Sequence, residues 1–150
     1  MYQGASRAKR NTVGPASTRT LGVAMPAEQL SALLAYVRAW SAPDLAAARK
    51  LLAECWTEES EIIGPGYYFK GLSAVLNEID RFQTSQPGWK AIATSGFDTH
   101  GLWTRFTIAI LNAQGTCTNE GLDIIEQDVE GKIRRVITFW GPLSSIGTPP

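Results

Sequence analysis

Residues 121–140, GLDIIEQDVEGKIRRVITFW, constrain this chain more than any other stretch. They read as one long β-hairpin, with Asp128-Val129-Glu130-Gly131 as the turn and β-branched residues filling both arms. Side chains alternate along a strand. Counting back from the turn therefore puts Cys117, Asn119, Gly121, Asp123, Ile125 and Gln127 on one face of the first arm. Glu120 and Glu126 mark the opposite face as the wetter one. Asp123 is thus expected to point inward. A carboxylate on the apolar side of a sheet must be paired, shifted in pKa or turned toward a cavity, so Asp123 is the first candidate for function.

The rest of the chain can be built around that hairpin. Leu30, Leu33, Leu34, Val37 and Trp40 recur at helical spacing behind Pro26 and predict a helix over 26–40, with Tyr36 at least partly inward. Ser41-Ala42-Pro43 breaks it, and Asp44 opens a second helix carrying Leu45, Ala48, Leu51, Leu52 and Cys55 on one face and ending near Trp56. So short a link makes an αα-hairpin. A short strand over 59–64, the turn Gly64-Pro65-Gly66 and a second short strand over 67–69 follow. A third helix over 72–83 ends before Pro87-Gly88. Beyond Trp89 the period becomes two: one strand over 89–99, a turn near His100-Gly101, and a strand over 102–111 with Leu102, Phe106, Ile108 and Ile110 on its apolar side. Asn112-Ala113-Gln114-Gly115 then leads into the hairpin.

Helices segregated from a meander predict an α+β fold. The expectation is a cone-shaped, curved antiparallel sheet wrapped on three helices in the order α-α-β-β-α-β-β-β-β, with an apolar pocket at its open end. One domain is expected over 25–142, between a disordered basic tail (1–24) and a flexible C-terminal tail (143–150). Residues 1–24 hold Arg7, Lys9, Arg10 and Arg19 and no acid, and show neither helical nor strand period. Two readings of this tail stand. One is an extension before a working start at Met25. The other is an organelle transit peptide, which the composition suits but the lack of an apolar helical face opposes.

Composition limits the partners. Net formal charge is zero, which disfavours nucleic acid and anionic membranes. A single histidine excludes a His-rich metal site, and no apolar run approaches the ~20 residues of a membrane span. A cytoplasmic protein without a cofactor is expected. Cys55 and Cys117 sit in apolar contexts at no metal-binding spacing, so both are expected to be buried free thiols.

Taken in order, several segments resemble the nuclear transport factor two family. This family includes ketosteroid isomerases and SnoaL-like polyketide cyclases. The segments are 36–45 (YVRAWSAPDL), Leu51-Leu52 leading to Cys55-Trp56, Gly64-Pro65-Gly66, Lys70-Gly71, Gly121-Leu122-Asp123, Gly131-Lys132-Ile133 and Phe139-Trp140. The resemblance implies a cone-shaped α+β barrel, usually dimeric through its sheet. It also implies that Tyr36 and Asp123 stand where the isomerases carry the tyrosine and protonated aspartate of their oxyanion hole. The isomerases' base, an aspartate just before a proline, is replaced by Gly64 before Pro65, so steroid isomerisation relying on that base is not expected.

Further candidates come from residue chemistry. His100 is a potential general base near neutral pH. Asp98-Thr99-His100 resembles the Asp-x-His of SnoaL-like sequences, with Asp98 placed to orient the ring; a solvated turn histidine is the competing reading. Trp40, Trp56, Phe69, Phe82, Asn119, Ile125 and Phe139 are candidates for the pocket wall, which would suit a small hydrophobic ligand. Arg105 should face away from the apolar side, Arg134 and Arg135 should split between the faces, and Trp103, with Trp140, should form an outer patch for a homodimer. Two classes of function stay open. One is a cofactor-free isomerase, cyclase or dehydratase using Asp123, Tyr36 and His100 on a hydrophobic carbonyl compound. The other is a non-catalytic ligand-binding or dimerisation module lacking the base.

Overall fold

The computed structural model describes residues 25–147; the expectations for 1–24 and for the last three residues of the C-terminal tail lie outside them. Helix α1 (Ala27–Ala39) starts after Pro26, and α2 (Leu45–Cys55) is capped by Asp44, whose carboxylate accepts the Ala47 N–H at 2.8 Å. The face that α1 buries is made largely of small side chains. Ala32, Ala35 and Ala39 are buried with Leu33 and Tyr36, whereas Leu30 is exposed. Alanines on the contact side let helices approach closely, and these share one core with Ala48 and Leu52 of α2. Strands β1 (Glu61–Gly64) and β2 (Tyr67–Lys70) form a tight hairpin ahead of α3 (Leu72–Ser85), which buries Val75, Leu76 and Ile79.

The remaining strands are β3 (Lys90–Ala93), β4 (Asp98–His100), β5 (Trp103–Leu111), β6 (Cys117–Gln127) and β7 (Ile133–Trp140). The sheet has seven strands in the order β2-β1-β7-β6-β5-β3, with β4 also on β5. It corrects the expected all-antiparallel barrel in two ways. First, β1 runs parallel to β7, so the sheet is mixed; second, the sheet ends in edges and stays open.

The single strand expected over 89–99 is two strands. The step from Ala93 to Asp98 is matched on β5 by the shorter step from Ile108 to Arg105. The extra residues loop out between them. Ser95 Oγ accepts the Thr107 N–H at 2.9 Å, and the Phe97 ring meets Phe106 edge-on at 4.9 Å. Such an insertion bends a sheet.

The β6–β7 turn is where the sequence places it. Asp128 Oδ1 accepts the N–H groups of Glu130 and Lys132, both at 2.9 Å. A register shift then falls between Glu126 and Gln127, which pair with Arg135 and Ile133. Arg134 is the additional residue and is exposed. Arg135 lies on the outer face, bonded to Glu61 at 2.6 Å. Neither arginine enters the core, contrary to the expected split. Cys55 is buried as expected, but Cys117, near the open start of β6, is exposed.

Candidate functional site

A cavity of about 500 Å³ lies between the inner face of the sheet and helices α1 and α3. Asp123 lines it and is 4% exposed. On the inner face its neighbours across the strands are Phe106 and Thr138. The Thr138 hydroxyl donates to Asp123 Oδ1 at 2.7 Å, and among the described residues no other group bonds the carboxyl. Burial raises the carboxyl from its ordinary 3.8 to about 6, while the Thr138 hydrogen bond pulls weakly the other way. An acid that titrates there can hold or release a proton close to neutrality.

Tyr36, from α1, lines the same cavity. Its ring stacks on Trp56 at 5.8 Å and meets Trp40 edge-on at 6.5 Å. These contacts fix the plane of the phenol. Burial pushes its pKa well above 10, and a charge on Asp123 pushes it further. The phenol therefore keeps its proton and serves as a neutral hydrogen-bond donor.

Trp40, Phe69, Phe82 and Asn119 also line the cavity. Three expected wall residues do not. Trp56 and Ile125 are buried in the core beneath it, and Phe139 is 54% exposed. Strand parity explains Phe139: its neighbour Thr138 faces Asp123, so Phe139 points to the other side. His100 is likewise displaced. It pairs with Trp103, which by parity with Phe106 lies on the outer face, and it is exposed. Asp98 bonds Arg105 at 3.3 Å and does not orient the imidazole. The sheet therefore separates His100 from Asp123.

Among the cavity residues that do not stand out in the sequence are Tyr67, Thr138 and, on this face, Trp140. The sequence places Trp140 outside. It lines the cavity, and its indole N–H donates to the Tyr67 hydroxyl at 3.0 Å. Gly64 explains the position of Tyr67. The two are paired across the β1–β2 hairpin, and the Tyr67 ring fills the space that a Cβ on Gly64 would occupy. Gly121 does the same for Trp140, since a Cβ there would lie 2.8 Å from the indole carbon Cε3. Each aromatic ring sits over a glycine, a pairing of small with large that sequence order alone leaves hidden.

No protein-family model matches the chain, and no curated protein matches it in sequence. Solved structures do match in fold. A SnoaL-like family protein of Agrobacterium tumefaciens, provisionally an isomerase, is 24% identical over 77% of this chain and 98% of its own, with a TM-score of 0.70. A protein of unknown function with a cystatin-like fold from Methylobium petroleophilum is 16% identical over 84% of each chain, with a TM-score of 0.64. A provisional SnoaL-like polyketide cyclase of Jannaschia is 12% identical over 79% of this chain and 91% of its own, with a TM-score of 0.63. The chain has the NTF2-like fold, and SnoaL-like proteins are among its structural neighbours. At these identities the likeness extends to the fold; the chemistry has to be argued from the residues.

Proposed function

We propose that this protein is a cofactor-free acid–base enzyme, of the isomerase, cyclase or dehydratase kind, acting on a small hydrophobic carbonyl compound. The supporting observation is Asp123: a buried carboxyl held by Thr138 on one oxygen, bordering an aromatic cavity and titrating at about 6. With His100 on the outer face, the proton carrier in this reading is Asp123 itself. Above its pKa, the carboxylate takes a proton from the carbon next to the carbonyl. The C–H electron pair moves into the new C=C bond, and the carbonyl oxygen becomes an enolate oxygen. Tyr36, kept protonated, donates a hydrogen bond to that oxygen and offsets its charge. Return of the proton to another carbon completes an isomerisation.

The test is exchange of carbon-bound hydrogen. An aryl alkyl ketone incubated with the protein in D2O should lose its α-proton NMR signal faster than in buffer. Positioned acid–base catalysis is typically worth about 10²–10⁴-fold, and Asp123→Asn should lose an effect of that size. Exchange that persists in Asp123→Asn overturns this assignment. The alternative, a binding module without catalysis, draws on Gly64, which leaves the isomerases' base position without a carboxylate. Ketone binding with no exchange in the wild-type protein would favour it.

A further inference from the structure

The Tyr67–Trp140 pair has a directional consequence. An indole N–H can only donate, so at the 3.0 Å contact the Tyr67 oxygen is the acceptor. A phenol has one proton to donate, and among the described residues no acceptor takes it from Tyr67. The ring is fixed from three sides. Gly64 leaves the room that it fills, Phe69 stacks on it at 5.5 Å, and Trp140 holds its oxygen. Trp140 is itself seated over Gly121. Both rings line the cavity that Asp123 and Tyr36 border.

We propose that Tyr67 is a second, directionally fixed hydrogen-bond donor of this cavity, which binds an acceptor oxygen on the ligand, with Trp140 as its positioning residue. The ligand class is a largely apolar molecule bearing a ketone, ester or similar acceptor oxygen, and a pure hydrocarbon of the same shape is discriminated against. Two donor phenols, Tyr36 and Tyr67, then face one cavity. The inference rests on the carbonyl-compound reading above for its ligand class, but it concerns binding and stands whether or not Asp123 moves a proton.

The experiment compares 2-acetylnaphthalene with 2-ethylnaphthalene, two molecules of nearly one shape of which only the first has an acceptor oxygen. Equilibrium binding is followed by quenching of protein tryptophan fluorescence. Wild-type protein should prefer the ketone by about tenfold, the upper end of what one net hydrogen bond from a half-buried donor with no other acceptor contributes. Tyr67→Phe should reduce that preference at least about threefold while hydrocarbon affinity stays within about twofold, because only the donor is removed. Trp140→Phe, which keeps the phenol but frees its rotation, should give a smaller loss in the same direction, and it serves if Tyr67→Phe does not fold. No ketone preference in the wild type, no measurable binding of either probe, a preference unchanged by both variants, or equal loss of affinity for both probes would each overturn the inference. Asp123→Asn separates it from the proposed function. A ketone preference that survives there and falls in Tyr67→Phe or Trp140→Phe, with hydrogen exchange absent even in the wild type, means that the catalytic reading fails and the Tyr67 assignment holds.

Discussion

At the scale of one residue, Asp123 couples folding to pH. Its carboxyl is raised by burial from 3.8 to about 6, so the folded protein holds this proton more tightly than the unfolded chain does. Between these two values the unfolded chain releases the proton first. The contribution to stability therefore falls as pH rises through that window, by at most about 3 kcal/mol, since each pH unit crossed within it is worth ~1.4 kcal/mol. Asparagine at this site carries no such cost and can still accept the Thr138 hydroxyl. The stability difference Asp123→Asn minus wild type, measured by urea unfolding, should be near zero or negative at about pH 4 and clearly positive at about pH 8. A difference that stays flat across the window would mean that the carboxyl is not desolvated as described. Sequence alternation is enough to turn Asp123 inward, because a one-residue error would expose the whole apolar set. It cannot supply Thr138. Counted straight back from 128–131, Asp123 faces Val136, but the loop and the extra Arg134 move the pairing to Thr138.

At the scale of an element, the β1–β2 hairpin is specified by the fit between Gly64 and Tyr67. Gly64 is not among the glycines with positive φ, so its need for glycine is steric. Gly64→Ala should drive a methyl into the Tyr67 ring and cost about 1–3 kcal/mol, the usual range for overpacking. The same change in a Tyr67→Ala background should cost well under about 1 kcal/mol, since the obstructing ring is gone; contacting residues are where such non-additivity is expected. Unfolding of the four proteins of this cycle checks it, and additive costs would place the strain elsewhere. A carboxylate grafted at Gly64 meets the same obstacle. The helices are legible through period, breaks and the Asp44 cap, since each signal is local. The parallel β1–β7 pairing is not, because it joins strands with about seventy residues between them, and local period says nothing about which edges meet. The displacement of His100 has a related cause. Parity along β5 gives its outward direction only once β4 is known to pair with β5 in this register.

At the scale of the molecule, the two faces of the sheet have different partners. The inner face has the helices and the cavity. The outer face, among the described residues, has no helix over it, yet Tyr68, Ile63, Ile137 and Ile124 lie in one cross-strand row, with Phe139 beside Leu122 in the next. Tyr68 and Phe139 are more than half exposed. An apolar area of this kind on a sheet face is costly to leave in water and commonly marks an interface. Beside it runs a charged row, Glu61-Arg135-Glu126, in which the Arg135 guanidinium holds the Glu61 carboxyl below its usual range. We propose that the occupant of this face is a second copy of the chain. A twofold axis through the apolar row sets like surface on like and leaves both cavities on the far sides of the paired sheets. Light scattering at micromolar concentration should give twice the chain mass, and Ile137→Glu should give the monomer with its ketone preference intact. A monomer mass for the wild type would contradict the dimer. Loss of ligand discrimination in a folded monomeric variant would show that cavity and interface are coupled, which the sheet between them gives no reason to expect.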